Sequence, residues 1–216
     1  MTVFSYVVEH DLGFAPNPFH GVCTLACCKP KIRNKAGIGD YILGTGATRP
    51  NLLGNLIYWM RVDEILTFDD YWNDRRFRRK KPVMQGSTHL RYGDNIYHHN
   101  GDATYHQEDS FHSLEDGSLS LGDLQRDTGW TDKVLVGYDF AYWGRKGLLM
   151  PDSLKCFIKK GPGHKQAFTE EQIARLMAWL SQHPNRGYMA EPAHWQFLGS
   201  LKPKRKRRPR HEARRI

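Results

Sequence analysis

The sequence lacks long apolar runs and a cysteine framework, and its first residues do not predict a leader segment. None of its 216 residues belongs to a stretch approaching the roughly 20 consecutive apolar residues that a bilayer span requires. The N-terminus has no basic segment followed by a long apolar stretch, so no secretion signal is expected. Three of the four cysteines, Cys23, Cys27 and Cys28, crowd together, unlike the cysteines of a disulfide scaffold. These features predict a cytoplasmic protein with reduced thiols and no membrane partner.

Most of the chain also lacks net charge, although the total is +9. Nine basic residues follow Leu201 against one acid, Glu212, so this run carries +8 and the rest of the chain +1. Such a run is expected to be disordered and to bind polyanions by counterion release, or else to act as a solubilising tail. We therefore predict one domain over residues 1–200 and a basic tail over 201–216. The tail residues predicted to contact DNA are Lys204, Arg205, Arg207 and Arg208.

Short runs of β-branched and aromatic residues predict an α+β fold. A turn-forming segment at 45–51 predicts that two of these strands are antiparallel neighbours. A capping box at Thr169–Gln172 predicts a helix that ends near His183 and packs on the sheet, and Thr67 caps a shorter turn. Together these signals favour a strongly bent mixed sheet or a small β-barrel with flanking helices. The predicted strands are Val3–Val8, Tyr41–Gly44, Leu56–Val62 and Lys133–Tyr138.

Two basic segments are candidate nucleic-acid contacts. The first surrounds the turn between the predicted strands, where cations suit a phosphate and nearby aromatic residues suit base stacking. The second is the run 75–81, in which six cations flank Phe77; a solvated connector is the alternative for that run. The residues predicted to bind nucleic acid here are Lys29, Lys31, Arg33, Arg49, Tyr58, Trp59, Arg78, Arg79, Tyr97 and Gln107.

The cysteines and nearby His20 do not form a recognisable metal motif. Their spacing is H-x₂-C-x₃-C-C, without the paired C-x₂-C knuckles of a structural zinc site. Buried packing of small thiols explains them better. We therefore predict no metal site, and the sequence identifies no cofactor.

The segment 98–132 is rich in acids and histidines, which are the side chains that move protons and bind divalent ions. An exposed acidic loop is the favoured interpretation for most of it. His10 and Asp11 end the first predicted strand, where they either serve the site or bond the loop backbone. If the chain is an enzyme, the predicted acid and base groups are His10, Asp11, Asp94, Glu108 and His112. Gln107 cannot titrate and would orient a water or a base edge.

Several blocks resemble a known family. CKPKIR, GDYILGTG, LIYWMRVDEILTFDDYW, RYGDNIYHHNG, QEDSFHS and RDTGWTDKVLVGYDFAYWG are similar to the nucleotide modification associated domain family of the second type, over about Val3 to Pro151. That resemblance implies a phage or bacterial setting of DNA base modification or defence, with modification proteins as possible partners. The Gly-Asp turn, strand, turn and strand also resemble the nucleic-acid-reading barrels of the PUA, ASCH and EVE group.

Three functions are consistent with these observations. The first is recognition of DNA, another nucleic acid or a nucleotide in a base-modification system. The second is an enzyme that acts on a base or nucleotide through an acid and histidine pocket. The third is a structural partner of a modification complex, anchored to DNA by its tail. The basic segments favour the first without excluding the others.

Overall fold

The computed structural model describes residues 1–48 and 50–197, with twelve strands and five α-helices in that part of the chain. The strands are β1 (Val3–Val8), β2 (Cys23–Leu25), β3 (Tyr41–Gly46), β4 (Asn55–Arg61), β5 (Glu64–Thr67), β6 (Tyr97–His99), β7 (Tyr105–Gln107), β8 (Lys133–Gly137), β9 (Phe140–Tyr142), β10 (Leu148–Leu149), β11 (His164–Lys165) and β12 (Gly187–Tyr188). The helices are α1 (Pro30–Lys35), α2 (Phe68–Asn73), α3 (Thr88–Arg91), α4 (Leu121–Thr128) and α5 (Glu170–Ser181). Four 3₁₀ turns cover Arg75–Lys80, Gly144–Lys146, Asp152–Phe157 and Ala193–Phe197.

A seven-stranded mixed sheet forms the centre of the fold. Its strand order is β11-β1-β3-β4-β9-β12, with β10 paired to β4. Strands β3 and β4 are antiparallel neighbours, as the turn between them predicts, whereas β1 runs parallel to β3. A parallel pair needs a crossover connection, and here it contains β2 and α1. The α+β class is therefore confirmed.

The predicted PUA-like barrel is wrong. In the described part of the chain the large sheet ends in two different strands, β11 and β12, and does not close on itself. The strands that a barrel would recruit instead form separate small sheets, β2-β8-β5 and β6-β7. The local Gly-Asp turn before β3 is present, but it does not determine how the more distant strands pair.

Side chains alternate between the two faces of the large sheet and fill two hydrophobic clusters. Tyr58 and Met60 of β4 join Phe4 and Ile42 on the face covered by β2, β8 and α1. Trp59 points to the other face, which α5 covers through Leu176 and Leu180. A third cluster lies between the β2-β8-β5 sheet and α2, and it includes Cys27, Phe77 and Tyr97. This cluster forms one side of the candidate site.

The two predicted helix caps are confirmed, and the prediction for the acidic segment holds for most of its residues. Thr169 caps α5 and Thr67 caps α2, and each accepts a hydrogen bond from the backbone three residues later. Pro30 begins α1, because proline fits the first helical position, where no N–H is needed. The acidic segment is loop over most of its length, as predicted, but it also contains the end of β6, β7 and α4 and buries His98, His112 and Asp127.

The predictions for Arg49 and for the tail residues Lys204, Arg205, Arg207 and Arg208 lie outside the described residues. Among the helices that are described, none is both long and apolar enough to cross a membrane.

Candidate active site

Cys28 lies in the connection between β2 and α1, where the backbone takes an unusual course. Cys28 has φ 57° and Lys29 has φ 44°, so two consecutive non-glycine residues occupy the left-handed region. This conformation is uncommon for residues with a Cβ, and it occurs most often where the surrounding structure enforces it at a functional site. Cys28 remains half-exposed, whereas its neighbour Cys27 is buried.

A histidine and an aspartate follow Cys28 in a line of hydrogen-bonding groups. The Cys28 Sγ lies 3.6 Å from His112 Nε2, and His112 Nδ1 lies 3.0 Å from Asp127 Oδ2. Asp127 is in the last turn of α4 and fully buried, and His112 is 6% exposed. A thiol, an imidazole and a carboxylate in this order form the arrangement that activates a cysteine nucleophile.

Buried donors hold the aspartate in place. Asp127 Oδ1 accepts a hydrogen bond from the Cys28 backbone N–H (2.8 Å), and Oδ2 accepts one from the Tyr97 hydroxyl (3.0 Å). Arg126 donates to both carboxylate oxygens, at 2.9 and 3.1 Å. The carboxylate therefore links the strained Cys28 loop to α4.

Arg33 of α1 holds the same loop in place through hydrogen bonds to backbone carbonyls. Its buried guanidinium donates to the carbonyls of Cys28 (2.9 Å) and Lys133 (2.7 Å), and also to the carbonyl of Asp127. These three acceptors come from three segments that are distant in sequence. Arg33 therefore fixes the relative positions of the β2–α1 loop, β8 and α4, rather than facing a ligand.

The histidine and the aspartate form an ion pair at neutral pH. Burial would lower the pKa of His112, but hydrogen bonds with Asp127 and Cys28 outweigh it and raise the pKa to about 9. Burial would raise the pKa of Asp127, but its bonds with His112 and Arg126 lower it to about 2. A protonated imidazole next to a thiol is the setting that stabilises a thiolate.

More positive charge lies close to the cysteine. Arg126 Nη2 is 3.2 Å from both ring nitrogens of His112, so the guanidinium lies over the face of the imidazole. The Lys29 ammonium lies 4.6 Å from the centre of the Tyr6 ring, and burial lowers its pKa while the charge of Cys28 raises it. The surroundings of Cys28 therefore attract anionic groups.

Cys27, His112 and Asp127 also place three potential metal ligands within 4.8 Å of one another, all of them buried. A cation there would have to displace Arg126 from the carboxylate and remove the proton from His112. Burial raises the pKa of the Cys27 thiol well above its ordinary value, which disfavours the thiolate that a metal needs. The donor set therefore suits an ion pair better than a metal ion.

Of the five predicted acid and base groups, the structure places His112 in this cluster. Asp94 accepts hydrogen bonds from Thr24 (2.7 Å) and Tyr71 (2.8 Å) in the neighbouring core, where burial raises its pKa. Glu108 pairs with His98 at 2.9 Å on the β6–β7 hairpin.

The other two predicted groups lie elsewhere. The buried Asp11 accepts bonds from the Tyr142 hydroxyl and from the Ala193 backbone, and burial raises its pKa to about 6. The exposed His10 ring packs 5.5 Å from the ring of His194.

The residues predicted to bind nucleic acid include both buried and exposed side chains. Arg33, Tyr58, Trp59 and Tyr97 are buried, as is Phe77, so none of them offers a surface for stacking or phosphate contact. Gln107 Oε1 accepts a bond from the Ser120 backbone at 3.1 Å. Arg78 and Arg79 are exposed. Lys29 and Lys31 line an open cleft of about 280 Å³, together with Pro30, Ile32, Gly163 and His164.

Sequence reasoning missed Cys28, Arg126 and Asp127. The crowded cysteines were interpreted as packing, which holds for the buried Cys23 and Cys27 but not for Cys28. Asp127 was one of eight acids in a segment interpreted mainly as a loop. One signal for Asp127 was present in the sequence. An acid in the last turn of a helix lies next to the negative end of the helix dipole, so it needs cationic partners nearby.

The fold and this cluster define an α+β domain with a buried Cys-His-Asp arrangement. The family model described as nucleotide modification associated domain 2 matches residues 1–199. The chain therefore belongs to that family, and an association with nucleotide modification follows from it. No curated protein and no solved structure matches the chain.

Proposed function

We propose that the chain is an enzyme of a nucleotide-modification system that uses Cys28 as a covalent nucleophile. The observation that carries this proposal is the line from Cys28 Sγ through His112 to Asp127, at 3.6 and 3.0 Å. The family's association with nucleotide modification supports a base or nucleotide as the substrate class. The roles in the chemical step belong to Cys28 and His112, and Asp127 is a positioning residue.

In the proposed step the Cys28 thiolate adds to an electrophilic carbon of the substrate. The carbon–sulfur bond forms, and the electron pair of the attacked double bond moves to the substrate oxygen or nitrogen, which takes the proton from His112. The step ends at this covalent adduct; once the adduct has been modified, elimination breaks the carbon–sulfur bond, the thiolate leaves, and His112 takes a proton back. Asp127 keeps the imidazole oriented and stabilises its positive charge, as the third member of such a line does.

Alkylation of the cysteines tests the proposal. Iodoacetamide labelling followed by mass spectrometry measures Cys28 against Cys156, a second half-buried cysteine outside the cluster. We expect Cys28 to react at least about tenfold faster near pH 7, and the excess to disappear in His112→Gln. We also expect nucleotides or single-stranded DNA to protect Cys28 but not Cys156. Equal labelling rates of Cys28 and Cys156 in the parent protein would contradict the proposal.

A specific observation favours a second candidate, recognition of nucleic acid without catalysis. The cleft of about 280 Å³ presents Lys29 and Lys31, and Lys31 Nζ also lies 5.9 Å from the centre of the exposed Trp130 ring. A lysine that contacts phosphate contributes about one unit to the slope of log affinity against log salt. We expect Lys31→Ala to lower that slope for DNA by about one, and Lys146→Ala, an exposed lysine outside the cleft, to leave it unchanged. An unchanged slope in Lys31→Ala would count against the cleft.

A further inference from the structure

A strip of aromatic side chains runs over the surface from the candidate active site. We define the aromatic strip as Phe111, Tyr92 and Trp195. Phe111 directly precedes His112 in sequence and is 47% exposed, while Tyr92 and Trp195 are half-buried. None of these three residues belongs to the catalytic line described above.

Ring contacts connect the strip to the catalytic histidine. The Phe14 ring lies 4.5 Å from the His112 ring and 5.6 Å from the Phe111 ring. Phe111 then lies 5.6 Å from Tyr92, and Tyr92 stacks on Trp195 at 6.0 Å with an angle of 28° between the rings. Because Phe14 is buried, it forms the base beneath this end of the strip. The strip therefore begins one ring away from His112.

Hydrogen bonds anchor two of the three residues of the strip. The indole N–H of Trp195 donates to the Leu12 carbonyl at 2.9 Å, and the Tyr92 carbonyl accepts from the Asn17 side chain at 2.8 Å. Preformed aromatic surfaces bind planar ligands at a low entropic cost. An aromatic strip that leaves Phe111 exposed next to His112 is better explained by a ligand than by folding.

One cation lies near each end of the strip. Arg91 is exposed and adjoins Tyr92, and its charge lowers the pKa of the Tyr92 hydroxyl, although burial raises that pKa more. The 41% exposed Arg126 side chain lies over His112 at the other end. Aromatic rings flanked by cations suit a planar base attached to an anionic backbone.

We propose that the aromatic strip stacks an unpaired nucleobase and so holds the substrate beside His112. This rests on the proposed function, because it assigns that site its substrate class. The base must be unpaired, because the faces of a base in a duplex are covered by its stacked neighbours. Two sources supply such a base, a single strand and a free nucleotide.

The test measures binding in full-length protein that carries Cys28→Ser. This background removes the thiol, so the result does not depend on the proposed chemistry. The probes are a single-stranded DNA of about eight nucleotides with one central 2-aminopurine, the same strand in a blunt duplex, and 2-aminopurine riboside monophosphate. Fluorescence quenching of 2-aminopurine reports stacking directly.

We expect the parent to quench the single-stranded probe, and Phe111→Leu to weaken its binding about tenfold and remove the quenching. Leu149→Ala, which alters a 72% exposed apolar side chain on β10, is the control and should change nothing. The same loss with the free nucleotide would assign the strip to a mononucleotide, and a loss confined to the strand would assign it to single-stranded DNA. In both cases duplex binding should be unaffected by Phe111→Leu.

Two results would overturn the proposal. The first is unchanged binding and quenching in both Phe111→Leu and Tyr92→Leu. The second is a dimer, detected by sedimentation, that Phe111→Leu disrupts, because the strip would then be covered by a second copy of the chain. If the strip binds bases but Cys28 shows no excess reactivity, the stacking site stands and the covalent mechanism fails.

Discussion

Replacing His112 with glutamine should remove a specific part of the pH dependence of stability. The pKa of His112 is raised to about 9 because Asp127 and Cys28 bond its protonated ring, despite its burial. Since this exceeds the ordinary value of 6.5, the ion pair contributes its full stability below pH 6.5 and loses it as the pH rises through about 9. Glutamine has no such titration.

The size of the effect follows from the two pKa values. The difference between 9 and 6.5, at about 1.4 kcal/mol per pH unit, corresponds to about 3 kcal/mol. Lys80 acts in the opposite direction, because burial lowers its pKa to about 8 and the fold gains stability as it deprotonates. Lys80 is present in both proteins, so its contribution cancels when their free energies of unfolding are subtracted.

Urea unfolding of both proteins between about pH 6 and pH 10 measures this difference. We expect the free energy of unfolding of His112→Gln to be lower than that of the parent at about pH 6. This difference should shrink by about 3 kcal/mol as the pH rises to about 10. Asp127 does not disturb this window, because its pKa of about 2 is far below it. Parallel curves for the two proteins would show that His112 is not protonated, and the proposed activation of Cys28 by His112 would then have no basis.

Two further predictions concern the scaffold, and urea unfolding measures both. Lys80→Met should lower the free energy of unfolding by about 2–5 kcal/mol. The buried ammonium donates to both oxygens of Asn17 and to the Val22 carbonyl, and these three acceptors would lose their donor. A loss below about 1 kcal/mol would show that water replaces the ammonium as the donor. Gly44→Ala should cost at least about 1–3 kcal/mol, because the new Cβ would lie 2.3 Å from the Tyr58 ring. Gly122→Ala on α4, where the space is open, should be neutral or stabilising.

Local signals in the sequence were sufficient for β1, β3 and β4 of the large sheet, for β8 and for α5. The strand Val3–Val8 is confirmed with its predicted bounds, because β-branched and aromatic residues favour strands wherever they are buried. The capping box at Thr169 depends on residues three positions apart, so it needs no tertiary information. The same reasoning could not foresee the parallel pairing of β1 with β3, which depends on a crossover rather than on either strand.

The candidate site was mostly beyond sequence reasoning. Cys28 and His112 are separated by 84 positions, and no short motif links them. Arg33 and Lys80 were assigned to basic surfaces, because cations are rarely buried unless they are paired. Each is buried because several acceptors converge on it from distant segments, which a linear pattern does not reveal. His112 was among the predicted acid and base groups, whereas Cys28 and Asp127, which lie beside it, were not.

The hydrogen bonds that stabilise the Cys28 loop also position its thiol beside His112. Arg33 bonds the carbonyls of Cys28 and Asp127, and the Asp127 carboxylate in turn accepts from the Cys28 backbone N–H. These bonds offset the cost of a left-handed backbone at Cys28, which is of order 1–3 kcal/mol. Loss of any of these three hydrogen bonds would let the loop relax and move the Cys28 thiol away from His112. Variants of Arg33 should therefore lose the excess reactivity of Cys28 even where the fold survives, although Arg33 touches neither the thiol nor the imidazole.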